Sequence, residues 1–539
     1  MRLPRLRRWL PIAITLFVLL LLYALWPATS KFTVSAETTY VTDTLDENGF
    51  VDYPKALNDR LSQGITPENN AKVLIMLALG PKPEGAEMPP GYFRRLGIDR
   101  PTDDGPYLVG SEKFFKALPK KELPDDDAGP FDPPADLKKR WEDEQDRARS
   151  WPWKTANHPE IAEWLKTNEK PLAIIAEACK RSKYYNPLLS RNPEPQSMQI
   201  VGSLLPSVQK CRAVANMLAT RSMLHLGNGD FEGAWQDLMV CQKLGRLLAQ
   251  GGTMIEDLVG IAIVTIAAHK QVVFLSHAKV PAKQILVWRE ELRMLPSMPG
   301  VADKLDLTER FMMLDCLMTI IYRGPNAMGH LEGSSSKLPP RDTTLNRMLR
   351  RSVDYNPTFR LANAMYDRCV AACRLPSRAE RKRELDTIER EVKSTKREVT
   401  AFSLLEKLAS SEISRGEYMG KVYISILLPA FMKIQDAADR TEQTEQNLQV
   451  AFALAAYQAD NGRYPATLNQ LAPKYLAKIP GDLFSGQPLI YRLTDDGYLL
   501  YSVGINENDE EGRWTDDQPR GDDLRVRMPA KEPVKKVGD

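Results

Sequence analysis

The sequence predicts a mainly α-helical protein with an N-terminal membrane helix, a body of helical hairpins and a C-terminal α+β module. Three observations lead to this fold class. An uncharged run extends from Trp9 to Trp26, and helical periodicity dominates residues 136–415. Near the end of the chain, two short β-type runs flank Asp496 and Gly497. Because 539 residues exceed what one hydrophobic core usually organises, we expect several domains.

Composition is that of an ordinary folded chain. Hydrophobic residues make up 43% and charged residues 27%, which argues against a disordered or multi-spanning protein. The formal net charge is only +3, so we expect no nucleic-acid partner. The six cysteines include no Cys-x-x-Cys pair and predict small buried side chains, although an exported chain permits disulfides.

The N-terminus predicts attachment to a lipid bilayer. Four arginines precede the uncharged run, and positive charge before an apolar segment keeps that end of a chain in the cytoplasm. The core of this run, IAITLFVLLLLYALW at 12–26, is short for a spanning helix and long for a signal-peptide core. An uncleaved anchor and a signal cleaved near Ala28, Thr29 and Ser30 are therefore both open. In either case we expect the rest of the chain outside the cytoplasm.

The order of elements predicts the following divisions. Residues 31–117 have mixed character, with a short strand at 38–42. Prolines and aspartates at 118–135 are typical of a linker. The expected divisions are a membrane segment at 1–30, a mixed region at 31–117, a linker at 118–135, a helical body at 136–415, an α+β module at 416–528 and a flexible tail at 529–539.

Residues 209–250 carry the clearest supersecondary pattern of the body. Apolar positions recur with helical spacing on both sides of a short turn that contains Gly227, Asn228, Gly229 and Asp230. A short loop between two amphipathic helices predicts an αα-hairpin. The turn is similar to that of a tetratricopeptide repeat, but no repeat of ~34 residues accompanies it.

The C-terminal module begins with a predicted long helix over residues 421–460, kinked at Pro429. Gly462 suits the left-handed position just past a helix end. Thr467 with Gln470 predicts a capping box for a short following helix. The runs 489–493 and 498–503 then predict an antiparallel hairpin, since Asp-Gly between such runs favours a tight turn.

Residues 420–528 resemble the globular part of pilins, most closely the major pseudopilin of type II secretion systems. The resemblance rests on ISILLPA at 424–430, YQADNGRYP at 457–465 and YSVG at 501–504. It implies a long helix with an antiparallel sheet against its C-terminal half. In that family the module follows an apolar stem that packs into a fibre. Here the module is internal, and the stretch before it is short and polar.

The segment NENDEEGRWTDDQPRGDD, after the last β-type run, concentrates oxygen ligands, which calcium prefers. Its spacing does not fit an EF-hand. The pseudopilin resemblance implies a calcium loop here, with Asn506, Asn508 and Asp509 as the first group of ligands. Asp522 and Asp523 would form the second group. A solvated acidic loop is the alternative, because charge runs are usually solvated.

Catalytic templates such as HExxH, GxSxG, the P-loop and GxGxxG do not occur in the sequence. We therefore expect a non-catalytic scaffold or interaction protein of a bacterial envelope, with unnamed protein partners. It would be held in the inner membrane by a single span, with its bulk periplasmic. The alternatives are a component or client of a type II secretion or pilus-like machine, and a hydrolase whose site assembles only in three dimensions.

Overall fold

The structure, a computed structural model, describes residues 31–118, 135–190, 197–203, 205–324, 327, 343, 351–398, 406, 410–427 and 432–532. This part of the chain is mainly helical, with one small antiparallel sheet near the C-terminus. The coarse fold class is thereby confirmed. The expected membrane helix, nearly all of the linker and most of the tail lie outside the described residues.

The helices follow one another in the order α1 (Tyr53–Leu61), α2 (Ala71–Leu79), α3 (Tyr92–Arg95), α4 (Ser111–Ala117), α5 (Ala135–Ser150), α6 (Pro159–Thr167), α7 (Glu169–Ala178), α8 (Pro206–Gly227), α9 (Phe231–Ala249), α10 (Met254–His277), α11 (Ala282–Arg293), α12 (Val301–Lys304), α13 (Arg310–Arg323), α14 (Asn356–Cys373), α15 (Arg378–Glu398), α16 (Glu412–Leu427) and α17 (Met432–Asn461). A π-helical turn, Leu305–Glu309, joins α12 to α13, and a 3-10 turn occupies Leu468–Leu471. The strands are β1 (Ile490–Leu493), β2 (Tyr498–Ser502) and β3 (Leu524–Met528).

The described residues form two compact units, each drawn from three separate stretches of chain. The first unit draws on Met1–Gln63, Leu188–Leu204 and Ala302–Phe431, and the second on Gly64–Pro187, Leu205–Val301 and Met432–Asp539. Residues 136–415, expected as one helical body, contribute to both units. The expected α+β module is also shared, because α16 belongs to the first unit and α17 to the second.

A buried arginine links several segments of the first unit. Arg310, at the start of α13, is only 1% exposed and forms ion pairs with Asp306 at 2.9 Å and Asp367 at 2.7 Å. Its guanidinium lies 4.4 Å from the centre of the Tyr40 ring. Planar, fully charged arginine is suited to such a buried, stacked position. One side chain therefore connects α13, α14 and the segment around residue 40.

The strand expected at 38–42 is wrong, because these residues form turns. The hydroxyl of Thr39 accepts a hydrogen bond from the Ser35 amide at 3.2 Å and donates one to the Val41 carbonyl at 2.9 Å. Threonine and serine side chains can satisfy nearby backbone groups in this way, and such local bonds compete with a sheet ladder. The β-branched residues at 38–42 therefore favour a hydrogen-bonded turn over a strand.

In the second unit, α8 and α9 pack against each other and confirm the predicted αα-hairpin. The conformation of the turn between them agrees with its residue types. Gly229 takes the left-handed conformation, with φ of +76°. The Asp230 side chain accepts a hydrogen bond from the Gly233 amide at 2.9 Å and so caps the first turn of α9.

Helix α10 is long and apolar enough to cross a membrane, alone in this respect among the described helices. Half of its most apolar stretch is buried, and the helix packs against α8, α9 and α17. Its first turn is closed by a capping box between Thr253 and Glu256. The sequence indicates a buried core helix here, and the packing agrees with that interpretation.

The C-terminal elements follow the local signals closely. Helix α17 ends at Asn461, and Gly462 behind it has a φ of +71°. Thr467 and Gln470 form the predicted capping box. The sheet has the order β1-β2-β3 with both pairs antiparallel, so the predicted hairpin is confirmed and a third strand extends it. The predicted long helix is described as α16 and α17, and Pro429 lies outside the described residues.

One hydrophobic core joins the αα-hairpin to the C-terminal helix and sheet. Trp235 of α9 lies at its centre, with ring centroids 5.6 Å from those of Phe274, Trp288 and Phe452. Phe452 belongs to α17, which also packs against β2 and β3. Fully burying each such side chain contributes ~1.5–3 kcal/mol. The C-terminal helix is thus part of the same packed body as the hairpin.

None of the six cysteines, all of which lie in the described part of the chain, forms a disulfide. Five of them are buried and Cys373 is half-buried. The prediction of small buried side chains holds for these five.

Candidate metal centre

Three carboxyl groups converge in the connection between β2 and β3. Glu510, Asp522 and Asp523 each place one oxygen so that all three oxygens lie within 4.8 Å of one another. The two aspartates directly precede β3, whose first residue, Leu524, pairs with Ser502 at the end of β2. Pairing of β3 with β2 therefore fixes the position of the end of the loop relative to its beginning.

Asp523 is the most deeply buried member of this acidic cluster, with 0% of its surface exposed. Its Oδ2 accepts hydrogen bonds from the backbone amides of Gly512 at 2.7 Å and Glu510 at 3.2 Å. Its Oδ1 is buried and has no hydrogen-bond donor among the described residues. A buried carboxylate oxygen without a donor is costly, so this atom calls for a proton or a cation beside it.

Asp522 is arranged in the same way. Its Oδ2 accepts a hydrogen bond from the Asn506 amide at 3.2 Å and lies 3.4 Å from the Arg440 guanidinium of α17. Its Oδ1 is buried without a donor in the described part of the chain. Gly504 permits this close approach, since a Cβ there would lie 2.3 Å from the Asp522 carbonyl oxygen.

Glu510 completes the cluster, although the sequence prediction did not include it. Its Oε1 accepts a hydrogen bond from the Asn506 side-chain amide at 2.5 Å. Its Oε2 accepts one from the Asp522 backbone amide at 3.2 Å. The density of acidic residues in the segment was a signal for Glu510. The ligand set predicted from the pseudopilin resemblance did not include Glu510.

Two of the five predicted ligands, Asp522 and Asp523, come together. Asn506 lies beside them, but its side-chain oxygen accepts a hydrogen bond from the Asn508 amide at 2.7 Å. Asn508 approaches Asn506 through its backbone amide.

The fifth predicted ligand, Asp509, points to other partners. Its Oδ1 accepts hydrogen bonds from the Tyr501 hydroxyl at 2.9 Å and the Glu511 amide at 2.8 Å. Its Oδ2 lies 3.6 Å from the guanidinium of Arg492. Asp509 therefore ties the loop to β1 and β2, and its carboxylate is not among the three that converge.

The electrostatics of the cluster follow from burial and mutual repulsion. Burial raises the pKa of Asp523 to about 7, and the negative charges of Glu510 and Asp509 add to the effect. Burial also raises the pKa of Asp522. For Glu510, burial favours the neutral acid, but hydrogen bonds from Asn506 and from the Asp522 amide lower its pKa. Fully ionised, the cluster holds three negative charges that a cation would neutralise.

The donor set fits a hard cation. All three side chains offer carboxylate oxygens, and neither histidine nor cysteine belongs to the cluster. The three oxygens lie within 4.8 Å of one another, which is close enough for them to share one cation. Calcium, at ~2.3–2.6 Å, and magnesium, at ~2.0–2.1 Å, both take such oxygen ligands. The residues present therefore suit a hard divalent cation.

A second polar cluster bears on the hydrolase alternative. The ammonium of Lys72 donates a hydrogen bond to the Ser207 hydroxyl at 2.5 Å, and burial lowers the pKa of this lysine. Serine beside a neutral lysine is a chemically competent nucleophile. However, Lys72 is 0% and Ser207 1% exposed, so no substrate reaches them in this conformation. This pair lies buried in the second unit.

Comparisons with protein-family models, curated proteins and solved structures gave no match to this chain. The resemblances to pseudopilins and to a tetratricopeptide turn therefore remain predictions from the sequence.

Proposed function

We propose that the protein is a membrane-anchored, extracytoplasmic scaffold of a bacterial envelope whose pseudopilin-like C-terminal sheet is stabilised by a calcium ion. The observation that carries this proposal is the convergence of Glu510, Asp522 and Asp523 around buried oxygens without hydrogen-bond donors. The ion would be bound by these three carboxylates. The role of the ion would be structural, because its positive charge would offset the repulsion among the three carboxylates.

The position of the cluster explains what the ion would stabilise. A cation there links the first half of the β2–β3 loop, through Glu510, to the start of β3, through Asp522 and Asp523. Arg440 of α17 lies beside Asp522, so the acidic cluster is also in contact with the long helix. Extracellular calcium modules bind with Kd values of ~10⁻⁴–10⁻³ M, which suits a protein exported behind an N-terminal anchor.

The packing of α17 supports a scaffold more than a fibre subunit. Phe452 of this helix packs on Trp235, and Glu445 forms an ion pair with buried Arg246 of α9 at 2.5 Å. The apolar face that a pilin-type helix offers to neighbouring subunits is here covered by α10 and α11 of the same chain. The pilin-like elements would then act as a rigid part of one body, with protein partners docking on its surface.

The calcium part is tested by thermal unfolding of the full chain in detergent, with millimolar calcium, with magnesium and with chelator. A ligand that binds only the folded state stabilises it by ~2.7 kcal/mol at a hundredfold excess over Kd. We expect calcium to raise the melting temperature, and Asp523→Asn to remove that shift. Asp516→Asn is the matched control, since it removes one charge from an exposed position of the same loop.

Equal midpoints with calcium and with chelator would reject the site, and an equal shift with magnesium would reject calcium as its ion. A calcium shift that persists in Asp523→Asn would place the ion elsewhere. For the scaffold part, we expect cross-linking in native membranes to capture the same partner with the wild type and with Asp516→Asn. Capture of no partner by either protein would count against a scaffold.

A further inference from the structure

The second unit contains a cavity of about 170 Å³ that shares no residue with the acidic cluster. One face of α8, from Lys210 to Thr220, forms one wall, and the C-terminal half of α5 forms another. Gly110 and Ser111, before and at the start of α4, complete the polar part of the lining. The volume is close to that of a ~150 Å³ apolar cavity, which is known to hold benzene.

The floor of this cavity is apolar. It is formed by Leu79, Leu108, Trp164 and Met217, all of which are buried except half-buried Leu108. The Trp164 indole donates its hydrogen to the Val109 carbonyl at 2.8 Å, which fixes the ring in place. An apolar floor with a few convergent polar groups is the usual build of a small-molecule site.

Ser111 offers a hydrogen-bond donor to this space. Its hydroxyl oxygen accepts hydrogen bonds from the Trp141 indole at 2.9 Å and from the Gln145 side-chain amide. A hydroxyl has two lone pairs and one hydrogen, so both acceptor positions are occupied. Because Ser111 lines the cavity, its remaining hydrogen could be donated to an acceptor bound there.

The charge of the lining is positive. Arg149 lies 2.7 Å from Asp146, whose side chain is 69% exposed, and this pair is partly neutralised. Lys210 has no carboxylate within 4.0 Å among the described residues, so its charge is uncompensated at contact distance. The pKa of nearby Glu112 is lowered, first by its hydrogen bond from Lys116 and further by positive charges that include Lys210. The charged side chains of the lining, Asp146, Arg149 and Lys210, carry a net charge of +1, which favours an anion although the Glu112 carboxylate lies near Lys210.

We infer that this cavity binds a small monocarboxylate with a compact apolar body, such as an aromatic carboxylate. The ring would lie on the floor against Trp164 and Met217. Lys210 would supply the opposite charge and Ser111 the hydrogen bond. A monoanion fits better than a phosphate dianion, because the lining has one uncompensated cation and Asp146 repels added negative charge.

Titration calorimetry of the full chain in detergent, with benzoate as the probe and benzamide as its neutral isostere, tests this inference. We expect saturable binding of benzoate, at least tenfold weaker binding of benzamide, and loss of this preference in Lys210→Met. Arg212→Gln is the matched control, because it removes one positive charge from the same helix at an exposed position outside the lining. It should bind benzoate as the wild type does.

Ala213→Leu gives an independent check at the entrance, where Ala213 is exposed and a larger side chain narrows the cavity without disturbing the core. We expect Ala213→Leu to weaken benzoate binding at least tenfold. If Lys210→Met does not fold, the affinity of Ala213→Leu for benzoate is the test of the inference. The inference is overturned if millimolar benzoate does not bind, if benzamide binds equally well, or if Ala213→Leu leaves the affinity unchanged.

Discussion

Phe452→Ala tests whether the hairpin and the pilin-like helix unfold as one body. Phe452 lies on α17 with 0% of its surface exposed, and its ring meets Trp235 of α9 edge to face at 5.6 Å. Truncating a buried phenylalanine costs ~3–5 kcal/mol, and ~0.5–1.5 kcal/mol of that belongs to an aromatic pair of this kind. That is a large part of the ~5–15 kcal/mol that holds a typical domain folded.

Hydrogen exchange of backbone amides is the appropriate assay, because it measures opening free energies segment by segment. If the core is continuous, Phe452→Ala lowers protection in α8 and α9 as well as in α17, by a similar free energy. Phe484→Ala is the control. Phe484 is buried in a separate small cluster with Val503 and Leu524, so its truncation should affect the sheet and leave the hairpin protected.

The result that would refute this reasoning is loss of protection confined to α17 and the strands in Phe452→Ala. The C-terminal module would then unfold independently of the hairpin, as the division at residue 416 implies. Equal effects of both truncations on the hairpin would also count against a core centred on Trp235.

Two further predictions concern other parts of the chain. Burial raises the pKa of Asp315 on α13 to about 7, above its unfolded value of ~3.9. The contribution of this carboxyl group to folding stability is therefore full below about pH 4 and is lost as the pH rises through about 7. Asp315→Asn keeps an oxygen that can accept the hydrogen bond of the Ile200 amide. As the pH rises from about 4 to about 8, the variant should gain a few kcal/mol of folding stability relative to the wild type. Denaturant titrations that show the same stability difference at every pH would contradict this. Finally, a reporter active only in the cytoplasm should be silent when fused after residue 60, since the arginines before Trp9 orient the anchor, and an active fusion would reject the expected topology.

Several local features were predictable because each depends on neighbours within a few residues. The cap at Asp230, the left-handed Gly462 and the capping box of Thr467 and Gln470 all follow from short-range hydrogen bonds and backbone sterics. The Asp-Gly hairpin is of the same kind. The turn at 38–42 escaped prediction because β-branched residues favour strands on average, while hydroxyl bonds to the local backbone decided this case.

The candidate sites depended on distant parts of the chain. The acidic segment identified Asp522 and Asp523, but the turn of the backbone between β2 and β3 selected Glu510 over Asp509 as their neighbour. The cavity lined by α5 and α8 could not be predicted from the sequence, since Ser111 and Lys210 lie in segments almost a hundred residues apart. No local pattern marks a pair of residues that meet only through packing.

By itself the sequence determined the helical class, the αα-hairpin, the first two C-terminal strands and the charge pattern of the N-terminus, because periodicity, capping and charge depend on neighbouring residues. Only the tertiary structure decided that the second unit is assembled from three stretches and that α17 closes the core around Trp235. The physical reason is that burial of apolar surface is non-directional and sums over the whole chain. Many apolar helices could cover Trp235, and the choice among them depends on how all of them pack together.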